Sequence, residues 1–157
     1  MPSLRIPTDR QNGARVRVRV SLSRPLLMQR RQAGLAITQP VEVAGVLDTG
    51  AERTCVDPGV VATLGLAGLG VGLVAAPGTG AAPVPGLGGS SAAAWYKVGL
   101  TLVSPPNIPG ADLEFPEVDV DELPLSHFGV DVLIGRDVLA GCVVVYDGPA
   151  GSVTLAY

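Results

Sequence analysis

The chain has 157 residues, 47% of them apolar and 16% charged, with a formal net charge of -3. It is too apolar to be disordered, it is long enough for one domain with a buried core, and its charge makes no case for a nucleic-acid partner. Two cysteines, Cys55 and Cys142, and one histidine, His127, form neither a disulfide framework nor a zinc-ligand spacing. Reduced thiols and no metal or cofactor are therefore expected.

Residues 1–13 read as a loose, polar, flexible start, and the domain proper as 14–157. Arginines interrupt any apolar signal core there. No stretch reaches the roughly 18 uninterrupted apolar residues of a membrane helix. The run from Val56 to Val84 is broken by glycines and prolines. A soluble cytoplasmic protein is the expectation, with an anchor outside this sequence left open.

From Arg15 to Leu22, charged or polar residues alternate strictly with apolar ones. That is a half-buried strand with valines inward and arginines in water. Arg24 to Gly34 reads as an extended loop inside the first hairpin. The return strand runs from Leu35 to Val43, with a break at Pro40, and continues through Val46-Leu47. Asp57-Pro58 opens a short helix, as an N-cap followed by a proline at the first helical position, and Gly65 ends it in the left-handed conformation.

Ala67 to Ser91 is rich in Gly, Ala and Pro. It reads as a strand over Gly70 to Ala75 and then a mobile hairpin, roughly 76–96. Strands follow at Ala94 to Val103, around Leu113 to Val120, and at Val130 to Ile134. Arg136 to Ala140 is a short helix. Cys142 to Tyr146 and Ser152 to Tyr157 pair across the turn Asp147-Gly148-Pro149-Ala150-Gly151. Short strands, one or two short helices and glycine-rich turns indicate a small, closed all-β barrel.

Two pieces carry chemistry. Val46-Leu47-Asp48-Thr49-Gly50-Ala51 puts a carboxylate directly after an apolar strand end, and the glycine allows a sharp turn. Alone, Asp-Thr-Gly is also an ordinary strand exit. Val132-Leu133-Ile134-Gly135-Arg136-Asp137-Val138-Leu139 ends a core strand on a glycine and starts a charged helix at once. Asp131 and Asp137 beside it read as strand edge and helix start, and Asp147 as a turn residue.

The run Leu47 to Thr54 resembles the active-site loop of retropepsins, the dimeric aspartic proteases of retroviruses and some bacteria. Leu133 to Leu139 resembles their apolar-apolar-Gly-Arg segment and the helix after it. Pro85-Gly86-Leu87-Gly88-Gly89 is similar to the tip of their flap, a hairpin that closes over substrate. The similarity spans roughly Arg15 to Tyr157. The insert at Met28 to Ala36 and the long segment before the flap depart from compact viral forms.

The resemblance implies an aspartic endopeptidase with Asp48 as catalytic carboxylate, supported by Thr49, Gly50, Ala51, Glu52 and Arg136. Thr49 is implied to bond across the dimer axis, and Glu52 to pair with Arg136. That pair otherwise reads as a surface ion pair of little value. Gly50, Leu87, Gly88, Cys55 and Ile134 are implied to touch substrate. The flap is implied to add a peptide strand to the sheet. Gly78, Gly80, Gly86, Gly88 and Gly89 suit such a hairpin, or a plain surface loop. Trp95 and Tyr96 are flap anchors or core aromatics, and Cys55 is a pocket residue or a buried structural thiol. His127 receives no role. Val153 to Tyr157 is implied to be an interface strand.

Peptide hydrolysis by such a site needs two carboxylates sharing one proton, and this sequence has one Asp-Thr-Gly. The second must come from Asp48 of another copy, in a symmetric homodimer. Ala51 offers the dyad no side-chain donor, which implies a weakly acidic pH optimum. A non-catalytic peptide-binding or dimerisation module is the alternative, and a β-barrel ligand carrier a weaker one.

Overall fold

Strict charge alternation builds the central strand of the barrel. In the computed structural model, which describes residues 2–67, 78–80, 93–107 and 110–157, β2 (Gly13–Leu22) turns Val16, Val18 and Val20 inward and Arg15 and Arg17 to solvent, with Arg19 half-exposed. Period two lets one face carry the core while the other stays wet. Within the ring β2 bonds to two strands at once. It is antiparallel to β3 (Val41–Leu47) and to β6 (Ala93–Val103). The ring continues from β6 through β7 (Leu113–Glu122), β4 (Cys55–Val56) and β8 (Val132–Ile134) back to β3. The β3–β8 and β4–β7 pairs are parallel and the rest antiparallel. The expected closed barrel is thus a mixed one, and its closure removes the ring's open edges.

β1 (Ser3–Asp9) stands where a loose start was expected. Leu4 and Ile6 are buried, and β1 pairs with β10 (Ser152–Ala156), which pairs in turn with β9 (Val143–Asp147). The partner lies about as far away in sequence as the chain allows, so the first residues give no local sign of it. β5 (Gly78–Gly80) lies antiparallel to β6, Gly78 facing Trp95 and Gly80 facing Ala93. That pairing is the base a hairpin over 76–96 requires. The strand expected at Gly70 to Ala75 and the flap tip lie outside the described residues.

The expected loop at Arg24 to Gly34 is instead helix α1 (Arg24–Gln32). The run Arg-Pro-Leu-Leu-Met-Gln-Arg-Arg-Gln holds no β-branched residue and no glycine, and proline sits in its first turn, where its missing N–H costs nothing. Only Leu26 is buried, so an apolar stripe never advertised the helix. Gly34, at φ 64°, closes it: the Leu35 N–H reaches the Arg30 carbonyl at 2.9 Å and the Gly34 N–H the Arg31 carbonyl at 3.2 Å. Helix α2 (Pro58–Thr63) ends on Gly65 in the same way, as its sequence requires. With α3 (Arg136–Leu139) the α-helices number one more than the two expected among the described residues, and a 3-10 turn at Ser126–Phe128 is additional. No helix there is long and apolar enough to cross a membrane.

Candidate active site

β3 and β8 run parallel with Leu47 beside Ile134, so both chemistry-bearing segments leave the barrel at the same point. The Asp48 N–H extends the ladder by one bond, donating to the Ile134 carbonyl at 3.0 Å. The chain then turns. The Ala51 N–H reaches back to the Asp48 carbonyl at 3.3 Å, and the Gly50 N–H donates to Asp48 Oδ1 at 2.8 Å. This is an Asx-type turn, in which a short acidic side chain holds its own loop. A Cβ on Gly50 would sit 3.1 Å from Asp48 Oδ1, so the absence of a side chain there lets the carboxylate fold over the turn. Asp48 is half-buried, Ala51 likewise, and Thr49 and Gly50 are exposed.

The loop also serves as the cap of α3. A helix start leaves N–H groups without intrahelical partners. Here the Arg136 N–H donates to the Ala51 carbonyl at 2.9 Å and the Asp137 N–H to the Glu52 carbonyl at 3.2 Å. Fully buried Thr54 completes the joint. Its hydroxyl donates to Asp137 Oδ1 at 2.7 Å and accepts from the Gly135 N–H at 3.1 Å, while its own N–H donates to Asp137 Oδ2 at 2.9 Å. The close approach depends on Gly135. A Cβ there would lie 2.5 Å from the Arg53 carbonyl carbon and 2.8 Å from the Thr54 nitrogen. Thr54 and Asp137 thus do more than a strand start and a helix start would. Both lie inside the two runs that carry the resemblance, but the sequence assigns neither of them this bracing role.

Glu52 and Arg136 do not form the expected ion pair among the described residues. Both are exposed, and the joint between their segments runs through backbone and Asp137 instead. The ion pair near the site is one residue along: Arg53 Nε to Asp121 Oδ2 at 2.9 Å. The hydrogen bond to Asp121 raises the Arg53 pKa. Arg53 is 42% exposed, so solvent screening limits the pair to a modest contribution.

Two residues expected to touch substrate are buried. Ile134 is 0% exposed and belongs to the main core, and Cys55, at 5%, packs with Leu125 and Val130. Ile134 turns into the barrel core, and Cys55, on the opposite face from its neighbour Val56, is covered by Leu125 and Val130, so neither offers surface to a peptide in this chain. Burial pushes the Cys55 thiol up to about 11, with nearby Asp121 and Asp137 adding to it. That marks a structural thiol, not a nucleophile. Leu87 and Gly88, like Gly86 and Gly89, lie outside the described residues. Tyr96 is buried in the core and Trp95 half-buried. His127 stacks on Phe128 at the exposed 3-10 turn, away from both segments. Among the described residues no three His, Cys, Asp or Glu side chains are grouped to hold a metal.

No family model and no curated protein matches the sequence. A solved structure does match the fold. It is a retropepsin-like aspartic protease from Rickettsia conorii, aligned over 99% of this chain and 90% of that one with a TM-score of 0.57 and 13% identity. At that identity the likeness shows the fold: a retropepsin-like barrel.

Proposed function

We propose that the protein is an aspartic endopeptidase that hydrolyses extended peptide segments, with a dyad made of Asp48 from two copies of the chain. The observation that carries this reading is the interlock described above. The Asp48-Thr49-Gly50 turn leaves the barrel beside Ile134-Gly135-Arg136 and is hydrogen-bonded to that segment on either side, from the Asp48 N–H to the Ile134 carbonyl and from the Arg136 N–H to the Ala51 carbonyl, with Thr54 fastening Gly135 beyond it. A plain strand exit has no need of such support, whereas a general base must be held in place against the reacting group.

The mechanism follows from charge. Two carboxylates within hydrogen-bond reach cannot both ionise, so they share one proton. The ionised member takes a proton from a water held between them, and the protonated member donates to the scissile carbonyl. The apparent pKa values belong to the pair. In each chain the Gly50 N–H already donates to Asp48 Oδ1, which fixes the carboxylate's orientation over the turn. Thr49 is exposed at the turn, and its role in this reading is to hydrogen-bond across the dimer axis to the partner's active-site loop. The flap that the resemblance implies over 76–96 would cover the bound peptide and exclude water.

The test is cleavage of a diverse peptide pool by wild type and by Asp48→Asn. Wild type is expected to cut and Asp48→Asn to be inert while keeping its fold and dimer. Equal cleavage by both, or none by a verified wild-type dimer, rules the protease reading out.

A further inference from the structure

The chain's charge is segregated. Between Asp9 and Glu42 the sequence holds seven arginines and no acid, whereas residues 42–157 hold three cations and thirteen acids. On β2 the excess is partly used at home: Glu42 takes Arg19 at 2.8 Å and Arg17 at 3.7 Å. On α1 it is not. Arg24, Arg30 and Arg31 take part in no ion pair among the described residues. Arg30 donates to the Ala36 carbonyl at 2.9 Å, a neutral acceptor that leaves the guanidinium's charge uncompensated.

The same helix leaves apolar side chains in water. Met28 is 48% exposed and Leu35, just past the helix end, 43%. Arg24 and Arg31 lie one turn on either side of Met28, on its side of the helix. The Leu35 N–H returns to the Arg30 carbonyl, which keeps Leu35 at the helix end. All residues from 31 to 36 are exposed, so this end stands out from the barrel.

We propose that α1 and the turn after it form a docking surface for an anionic lipid bilayer. Met28 and Leu35 enter the headgroup region, while Arg24, Arg30 and Arg31 meet the lipid charge. A soluble polyanion would engage the arginines alone, whereas a bilayer surface takes both kinds of side chain. The acidic remainder of the chain is repelled by such a surface, which orients the molecule with α1 down. β2 sets what faces up. Arg15 pairs with Val46, close before Asp48, and Leu22 lies seven residues on, about 23 Å along the strand. α1 follows Leu22, so a chain seated by α1 holds its Asp48 loop away from the bilayer and open to water. The inference does not depend on the protease reading.

Flotation of the full chain with vesicles reads the partition, using phosphatidylcholine alone and phosphatidylcholine with about 30% phosphatidylserine. Wild type is expected to float with the anionic vesicles at about 0.1 M salt, to stay behind with the neutral ones, and to be released at about 0.5 M salt. Arg24→Gln with Arg31→Gln is expected to weaken the partition about 25-fold, about fivefold for each arginine. Met28→Gln with Leu35→Gln is expected to weaken it about tenfold and to leave its salt dependence as in wild type. All four side chains are exposed, so circular dichroism should match wild type in both variants. No flotation of wild type with either vesicle, or equal flotation with both, overturns the proposal. Flotation that neither variant weakens overturns the assignment to α1. Binding of soluble poly-glutamate without flotation also overturns the bilayer, and points to an acidic protein as the partner of the arginines.

Discussion

Gly135→Ala perturbs the joint between the two chemistry-bearing segments and nothing else. The φ of Gly135 is -88°, which alanine adopts freely, so any cost is steric. The added Cβ would meet the Arg53 carbonyl carbon at 2.5 Å, its oxygen at 2.6 Å and the Thr54 nitrogen at 2.8 Å. Carbon contacts are comfortable from about 3.5 Å, and backbone atoms cannot rotate aside, so the segments must part by about 1 Å. That stretches the bonds from Arg136 N–H to Ala51 (2.9 Å), Gly135 N–H to Thr54 (3.1 Å) and Asp137 N–H to Glu52 (3.2 Å) past useful length. Overpacking costs about 1–3 kcal/mol and each bond lost about 1 kcal/mol. A total of about 4–6 kcal/mol is a large part of a typical domain's ~5–15 kcal/mol. With a urea slope of about 2 kcal/mol per molar, the midpoint falls by about 2–3 M, readable from Trp95 fluorescence. Gly34→Ala is the contrast: nothing lies within 4 Å of its Cβ but φ is +64°, so only about 1 kcal/mol of conformational strain is expected. A Gly135→Ala midpoint as high as that of Gly34→Ala would refute the joint.

Thr54→Val keeps the shape but leaves the buried Gly135 N–H without its acceptor. A loss of about 1–3 kcal/mol is expected by urea denaturation, with peptidase activity lowered at temperatures where the chain is still folded. For Asp57, partial burial pushes the carboxyl up, but N–H donors from Gly59, Leu125 and Ser126 together with His127 outweigh it, and the net pKa is lowered. A lowered folded-state pKa stabilises above the unfolded value of about 4 and stops doing so as pH falls through the folded one. Asp57→Ala is therefore expected to lose about 1–2 kcal/mol at neutral pH, from the helix cap and the two further donors. The gap to wild type should close as pH is taken below about 4, and a gap that widens there contradicts the assignment. The pH–rate profile is expected to peak in the weakly acidic range because Ala51 gives the dyad no side-chain donor, and a peak below about 3 contradicts that.

The barrel was legible because alternation is a local signal. Arg15 to Leu22 states its own two faces, and Asp57-Pro58 with Gly65 states both ends of a helix. β1 was not legible, since Leu4 and Ile6 gain their meaning only from residues near the other terminus. Helix α1 was hidden for the opposite reason. Its propensity is strong, but it buries a single leucine, so a reading based on apolar periodicity passes over it. At the site, the acid and its turn stand in the sequence, and so does the glycine that admits them to α3. The brace does not. The family resemblance implies an ion pair between the acid at 52 and the arginine at 136, but exposed side chains gain little by pairing. The fold fastens the same two segments through the buried Thr54, the exposed Asp137 and main-chain N–H groups, which no charge pattern discloses.

The dyad itself is tested most directly by subunit mixing. Wild-type chains are held at a fixed concentration in the dimeric range while Asp48→Asn is added, and peptide hydrolysis is followed. If each dimer needs one Asp48 from each copy, mixed dimers are dead. Activity per wild-type chain then falls with the wild-type fraction, to about a tenth at a nine-fold excess of the variant. Activity per wild-type chain that holds constant across the titration would mean that one chain carries the whole reaction, and the two-copy carboxylate pair would be wrong.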